Sequence, residues 1–118
     1  MELKELLFKT LKKAEEALEL PYEQRNDSES LNQAALELAK TIPTKELEPS
    51  KRLEIFIRIR DCAMKMYQDA LKEEDYKNAV KLSFQICSCT NTIHYYECHM
   101  KAQRKRSQKA DEGEENGE

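Results

Sequence analysis

The fold of this chain is decided by residues 53–100, which read LEIFIRIRDCAMKMYQDALKEEDYKNAVKLSFQICSCTNTIHYYECHM. Apolar side chains recur every three or four residues on both sides of the short charged segment 72–75, and this is the period of an α-helix. A charged connection of this length is typical of antiparallel helices. The stretch therefore predicts a helical hairpin, with a third helix over 50–72 and a fourth over 75–105.

Both predicted helices of the hairpin carry apolar residues on more than one face. On the third helix the two stripes consist of Leu53, Phe56, Ile57, Met64, Tyr67 and Leu71 and of Ile55, Ile59, Cys62, Met66 and Ala70. On the fourth helix they consist of Tyr76, Ala79, Val80, Cys87, Thr90 and His94 and of Leu82, Ile86, Cys89, Ile93, Tyr96 and Met100. A helix that is apolar around so much of its circumference either lies at the centre of a bundle or meets a partner.

Two shorter helices are predicted before the hairpin. The first covers 2–19 and ends before Pro21, because proline lacks the N–H that a continuing helix needs. The second covers 28–41 and follows a cap at Asp27 or Ser28, whose side-chain oxygens can accept free N–H groups of the first turn. Its stripe is narrow and rich in alanine, and consists of Leu31, Ala34, Ala35, Leu38 and Ile42. We expect this helix to be the weakest member of the bundle.

The chain is predicted to be all-α: an antiparallel four-helix bundle with a central helical hairpin and a disordered acidic C-terminal tail. Gly occurs twice, Pro three times and Trp never, which favours long helices over strands. A chain of 118 residues is the size of one domain. We assign 1–106 to the bundle and 107–118 to the tail, which has too little apolar surface to offset the cost of ordering it.

The connection between the third and fourth helices reads EDYKNA at residues 74–79. This acidic turn, followed by Tyr and three residues later by Ala, resembles the turn between the helices of tetratricopeptide repeats and of microtubule-interacting-and-trafficking domains. The resemblance covers six residues, and no second copy of the motif occurs in the chain. It implies an antiparallel hairpin at this point and no family membership.

The N-terminal residues and the cysteines predict an intracellular protein. Residues 1–20 mix Lys with Glu and lack the apolar core of a signal peptide, and no stretch approaches the ~20 apolar residues that span a membrane. The four cysteines lie inside helical patterns and not in the loops of a disulfide-rich protein. We expect a soluble protein with reduced thiols in the cytoplasm, with the nucleus as the alternative.

Zinc binding is the first chemical alternative. The potential ligands within residues 87–99 are Cys87, Cys89, His94, Cys98 and His99. On a helix, Cys87 and His94 lie about 10 Å apart along the axis, which is too far for one tetrahedral ion. His94 and Cys98 are one turn apart and could chelate, with further ligands from Cys62 or a second chain. Core thiols and a hydrogen-bonded histidine are the favoured interpretation, so we predict no metal and no cofactor.

The same histidine and cysteine form the candidate for nucleophilic catalysis, because a thiolate needs a neighbouring base. Other signatures of such chemistry are missing from the sequence: it has no loop-borne nucleophile, no glycine-rich anion cradle and no oxyanion-hole motif. We therefore predict a protein that is not an enzyme and has no catalytic residue.

The functional prediction rests on the surplus of apolar surface on the third and fourth helices. It favours an adaptor, assembly factor or regulatory subunit whose partner is another protein or a second copy of itself. The predicted face consists of Phe56, Ile59, Met66, Phe84 and Tyr96, with Arg58 and Arg60 at its rim. The alternative is a bundle whose apolar faces are all satisfied internally.

A basic run near the end of the fourth helix supports a different function. It consists of Lys101, Arg104, Lys105, Arg106 and Lys109. Such runs act as nuclear-import signals or contact phosphates, and Tyr95 is placed to stack on bases if it is exposed. The net charge of −3 argues against nucleic-acid binding through the whole surface. The alternative function is therefore a nucleic-acid-associated regulatory protein that binds through this run and uses the bundle as a dimerisation platform.

Overall fold

The computed structural model describes residues 2–25 and 27–115, with side chains up to residue 108. Its helices are α1 (Leu3–Ala17), α2 (Ser28–Thr41), α3 (Pro49–Lys72) and α4 (Tyr76–Glu115), with a 3-10 turn at Tyr22–Gln24 after α1. This described part contains no strand. The predicted all-α class and the number of four helices are confirmed.

Two helical hairpins pack against each other to form the bundle. α1 packs mainly on α2, α3 packs mainly on α4, and α2 contacts both helices of the second hairpin. The predicted central hairpin is thus present, and its turn is closed by a hydrogen bond from Asp75 N to Ala70 O at 2.8 Å. Glu74, at φ 56°, supplies the left-handed residue that often ends a helix.

The expectation that α2 is the weakest member is wrong, because α2 contacts all three other helices. Its inner face is also rotated from the predicted stripe: the buried side chains are Ser28, Asn32, Ala35, Leu36 and Ala39. The two alanines allow neighbouring helices to approach closely, and this gives a narrow face many neighbours. Asp27 occupies the N-cap position, but its side chain makes no capping hydrogen bond.

The core consists of two neighbouring clusters of buried side chains. The first contains Leu7, Leu11, Ala35, Leu36, Ala39, Ile42, Leu47, Ile55, Phe56, Ile59, Cys89 and Ile93. The second contains Ala14, Cys62, Ala63, Met66, Ala70, Ala79, Leu82 and the half-buried residues packed on them. The first cluster takes residues from all four helices, so it joins the two hairpins.

Arg52, in the first turn of α3, is buried with only 3% of its surface exposed. Its guanidinium donates hydrogen bonds to the carbonyl oxygens of Ala39, Ile42 and Leu47. The first two carbonyls lie at the C-terminal end of α2, where the helix dipole is negative. Arg52 therefore satisfies the free carbonyls of α2 and fixes the connection between the hairpins.

A buried amide pair links the three helices α2, α3 and α4. Asn32 Nδ2 donates to Gln85 Oε1 at 2.9 Å and to the carbonyl of Ile59 at 3.2 Å. Gln85 Nε2 donates in turn to the carbonyl of Glu29 at 3.0 Å. Because unpaired buried amides are costly, these contacts favour one rotation of α4 about its axis, with Gln85 inside.

The start of α4 is held by Asp75 and Tyr22. The Asp75 carboxylate accepts hydrogen bonds from Tyr22 Oη at 2.7 Å and from the backbone N of Asn78 at 3.3 Å. The hydrogen bond from Tyr22 holds the pKa of Asp75 below its usual value, while burial and the same contact raise the pKa of Tyr22. A charged carboxylate at this helix N-terminus is favourable, so the contact anchors α4 to the turn after α1.

α4 is longer than predicted, since it continues to Glu115 and not to about residue 105. The segment 101–112 contains no glycine or proline, and Lys, Arg, Gln and Ala favour helix. Residues 101–108 are all exposed, so tertiary packing does not support this part of the helix. The predicted tail is therefore helical as far as Glu115 in this structure, and residues 116–118 lie outside the described part. Disorder of residues 107–118 in solution stays a prediction.

Replacing Arg52 with methionine tests the buried cap of α2. We expect Arg52→Met to lower the free energy of unfolding by about 2–4 kcal/mol, because three buried carbonyls lose a charged donor. The matched control is Lys51→Met, which alters an exposed lysine and should change stability by less than about 0.5 kcal/mol. Urea unfolding measures both. Equal stabilities of the two variants would contradict the assigned role.

The contact of Asp69 with Arg25 predicts a dependence of stability on pH. Arg25 Nη1 and Lys65 Nζ lie 2.7 and 3.1 Å from the Asp69 carboxylate. Burial alone would raise the pKa of Asp69, but hydrogen bonds from these two cations lower it below the usual 3.8. A lowered pKa in the folded state stabilises the protein at neutral pH, and this contribution is lost as pH falls below about 4.

We therefore expect Asp69→Asn to be less stable than the wild type at pH 7, with a difference that shrinks as pH falls from about 5 to about 2. Urea unfolding at a series of pH values measures it. The control is Asp61→Asn, an exposed carboxylate on the same helix. A stability difference between Asp69→Asn and wild type that is constant over this range would contradict the assignment.

Candidate partner-binding surface

α4 carries a second set of apolar side chains on the side opposite to the core. At 100° per residue, Leu82, Cys89 and Ile93 point into the bundle, where they are buried. The exposed side chains opposite to them are Tyr76, Val80, Phe84, Cys87, Asn91, His94, Tyr95 and Cys98. We call these eight residues the outer face of α4.

The most exposed members of the outer face are large. Phe84 is 71% exposed, Tyr95 63%, Tyr76 61% and Val80 55%. Single exposed apolar residues are common on protein surfaces. Here Tyr76, Val80 and Phe84 follow each other at intervals of one turn and form a continuous apolar line.

The spacing of the outer face is that of a helix that packs along another helix. Val80, Phe84, Cys87, Asn91, His94 and Cys98 are separated alternately by four and three residues. This is the seven-residue repeat of a coiled-coil seam. Four residues of the outer face, Tyr76, Val80, Cys87 and His94, belong to one predicted stripe of the fourth helix. The seven-residue repeat is the signal in the sequence that identifies the face.

The structure divides the predicted partner-binding residues between the core and the surface. Phe56, Ile59 and Met66 are buried in the core, and half-buried Tyr96 stacks on Phe56 with ring centroids 6.2 Å apart. Only Phe84 of the predicted apolar five lies on an exposed face. The correction has a simple cause: the inner side of α3 is covered by the other helices, and the most exposed large apolar side chains lie on α4.

The two arginines predicted at the rim form surface ion pairs. Arg58 Nη2 lies 2.6 Å from Glu15 Oε1 on α1, and Arg60 Nη2 lies 3.3 Å from Asp61 Oδ1. Both belong to α3, and neither lies on the helix that carries the outer face. Exposed pairs of this kind contribute little to stability.

The four cysteines fall into two classes. Cys62 and Cys89 are buried, and burial raises the pKa of Cys62 to about 12 and that of Cys89 to about 11. Cys87 and Cys98 are exposed on the outer face. Buried, protonated thiols are inert, so thiol chemistry is confined to the outer face.

His94 and Cys98 are in contact, with Nε2 and Sγ 3.6 Å apart. These atoms could supply two ligands to a metal ion. In the described part of the chain, no group of three or more His, Cys, Asp or Glu side chains is arranged to hold one. A structural zinc ion needs four ligands, so the pair alone does not form such a site. The absence of a metal and a cofactor stays a prediction.

The basic run continues from the end of the outer face. Lys101, Arg104, Lys105 and Arg106 are all exposed, whereas the side chain of Lys109 lies outside the described residues. Directly before them, the rings of Tyr95 and His99 are parallel within 6°, with centroids 6.1 Å apart. The exposure that Tyr95 needs in order to stack on bases is present, since 63% of its surface is exposed.

A shallow groove lies beside Phe84, between α2 and α4. Its volume is about 280 Å³, and it is lined by Glu29, Ser30, Gln33, Lys81, Phe84 and Gln85. A more enclosed cavity of about 70 Å³ lies under Tyr22 and Arg25. Small-molecule sites usually have about 300–1,000 Å³, so the cavity is too small for a metabolite, and the volume of the groove lies just below this range.

Comparison with known proteins adds no family to this description: no family model, characterised protein or solved structure matches the chain. Among the described helices, none has the length and apolar composition needed to cross a membrane. The class that fold and surface define is an all-α bundle with an exposed apolar helix face.

The division of the cysteines predicts the thiol chemistry of the native protein. We expect two of the four thiols, those of Cys87 and Cys98, to react rapidly with an aromatic disulfide reagent, and the other two only after denaturation. The absorbance of the released thiolate measures both phases. The double variant Cys87→Ser/Cys98→Ser should lack the rapid phase. Rapid reaction of all four native thiols would contradict the burial of Cys62 and Cys89.

Proposed function

We propose that this protein is a non-enzymatic protein-interaction module whose binding surface is the outer face of α4. The observation that carries the proposal is the apolar line of Tyr76, Val80 and Phe84, which lies on the opposite side of α4 from the core. An adaptor, an assembly factor and a regulatory subunit all have this property. The face replaces the surface on α3 and α4 that the sequence predicted.

The energetics favour a partner on this face. Burying one exposed Phe or Val side chain contributes roughly 1.5–3 kcal/mol, and aromatic residues are enriched at the centres of protein interfaces. The groove beside Phe84 gives a partner side chain a place to pack. A helix laid along the seven-residue repeat would contact the whole outer face at once.

A second candidate function uses the basic end of α4. The stacked rings of Tyr95 and His99, followed by exposed Lys101, Arg104 and Lys105, combine an aromatic platform with phosphate-binding charges. This combination is typical of proteins that bind single-stranded nucleic acid. Binding would occur at the end of α4 and leave the apolar line free.

Crosslinking in cells tests the interaction module. A photoreactive phenylalanine analogue placed at position 84 should yield a discrete covalent product, because Phe84 is the most exposed residue of the apolar line. The matched control carries the analogue at Met64, an exposed apolar residue on α3 outside this face, and should give at most about a tenth of the product. Gel mobility and mass spectrometry measure the product and identify its components.

The yield of crosslinked product should be higher at position 84 than at position 64 only if the outer face is the binding surface. Equal yields at positions 84 and 64, or no product at either, would contradict the proposed function. To show that the product needs an apolar face, Val80→Glu is added to the protein that carries the analogue at position 84. The added charge should reduce the yield at least about fivefold.

Nucleic-acid binding by the basic run predicts an affinity that depends on salt and on the basic side chains. Fluorescence anisotropy with a labelled single strand should give an affinity that falls steeply with salt, since each neutralised phosphate releases counterions. Arg104→Ala/Lys105→Ala/Arg106→Ala should abolish binding at about 50 mM salt, and Tyr95→Ala should weaken it by about tenfold. Unchanged binding by the triple variant would exclude the basic run as the site, and the control Lys12→Ala should bind as the wild type does.

A further inference from the structure

A serine follows directly after three cations of the basic run. Residues 104–107 read RKRS, and all four side chains are exposed. Many protein kinases select their target serine by basic residues on its N-terminal side, above all by an arginine three residues before it, because the guanidinium pairs with carboxylates beside the kinase active site. Arg104 stands at this position relative to Ser107.

Of the serines and threonines of the chain, only Ser28 and Ser107 follow an arginine by three residues. Burial keeps Ser28 from a kinase, since it is 6% exposed in the first turn of α2. The guanidinium of Arg25, three residues before it, donates hydrogen bonds to Asp69 and to the carbonyls of Leu18 and Leu20. The sequence pattern thus occurs twice, and the structure leaves only Ser107 accessible.

The helix around Ser107 can open at little cost. A kinase binds its target segment in an extended conformation, so the helical turn that carries the serine has to unfold locally. Residues 101–108 are exposed, and no tertiary packing opposes their opening. Opening the first turns of α2 would instead remove Ser28 and Asn32 from the core.

We propose that Ser107 is a phosphorylation site for an arginine-directed protein kinase, and that its phosphate neutralises the basic run. In this step Ser107 Oγ bonds to the γ-phosphorus of ATP, the bond from that phosphorus to ADP breaks, and the hydroxyl proton passes to a carboxylate of the kinase. The effect on binding rests on the second candidate function, nucleic-acid binding at the basic end of α4.

The phosphate changes the charge of this end of the helix. It carries about −1.5 to −2 at pH 7, whereas residues 101–106 contain four cations, Lys101, Arg104, Lys105 and Arg106. All four lie within about 9 Å of Ser107 along the helix axis, which is about one Debye length at physiological salt. Nearly half of their positive charge is therefore cancelled, and Arg104 can also donate hydrogen bonds to the phosphate oxygens.

Phosphate mapping on the full-length protein tests the site. The probe is the catalytic subunit of cyclic-AMP-dependent protein kinase, which is arginine-directed, with ATP and Mg²⁺. We expect one phosphate per chain, located at Ser107 by mass spectrometry, and an initial rate at least about tenfold lower for Arg104→Ala.

Two serine variants serve as a matched pair in this experiment. Ser107→Ala should incorporate at most about a tenth of the wild-type phosphate, and Ser28→Ala should incorporate as much as the wild type, because only Ser107 is accessible. An unmodified Ser107 in the wild type, or equal modification of Ser28, would overturn the inference.

Fluorescence anisotropy with the labelled single strand measures the effect on binding. At about 50 mM salt the phosphorylated protein should bind at least about tenfold more weakly than the unmodified protein, and its affinity should depend less on salt. Kinase-treated Ser107→Ala should bind as the untreated wild type does. Equal affinities of the phosphorylated and unmodified proteins would contradict neutralisation of the basic run.

The outcomes separate this inference from the candidate function on which it rests. If Ser107 is phosphorylated but the unmodified protein binds no strand, the site is correct and the nucleic-acid function is wrong. Elution from immobilised heparin, a polyanion, then measures the neutralisation: the phosphorylated protein should elute at lower salt, and unchanged elution would overturn this part. If the unmodified protein binds the strand but Ser107 takes up no phosphate, only the inference fails.

Discussion

The relative position of the two hairpins depends on a buried arginine whose charge is satisfied by backbone carbonyls. Arg52 belongs to the first turn of α3, but its hydrogen bonds go to the end of α2 and to Leu47 in the connection. No carboxylate of the described chain pairs with it; the negative end of the α2 dipole takes that place. The contact fixes the start of α3 against the end of α2. It therefore determines where the α3–α4 hairpin lies on the α1–α2 hairpin.

Within that arrangement, the amide pair of Asn32 and Gln85 decides which side of α4 is covered. Both sides of this helix are apolar enough to enter a core. Only the inner side also carries Gln85, which needs polar partners when buried and finds them on Asn32 and Glu29. Turning α4 by half a circle would bury Phe84, but it would expose Leu82 and Ile93 and leave Asn32 without Gln85 in the core, and both changes are unfavourable. The exposure of the outer face is therefore a consequence of apolar packing and polar pairing on the other side of the helix.

These same contacts explain what could be predicted from the sequence. The periodicity is local, so the four helices are predicted correctly, and the bounds of α2 and α3 are correct to within one residue. The roles of Arg52, Asn32 and Gln85 depend on pairs separated by up to 56 residues in the chain, and no local pattern indicates them. Phe56 and Phe84 are equally apolar in sequence, and contacts between distant parts of the chain place Phe56 in the core and leave Phe84 outside. The end of α4 was missed for a different reason: helix propensity continues past residue 105 although tertiary contacts do not.

The composition of the outer face also indicates what kind of contact it suits. A face made only of leucine and isoleucine would associate permanently or aggregate, whereas this one places Asn91 and His94 within its seven-residue repeat. Polar residues at such positions reduce the affinity between helices but favour one register and orientation. A surface of this kind is suited to a reversible contact with a defined orientation, and this follows from the amino acids of the face whether its partner is a second copy or another protein.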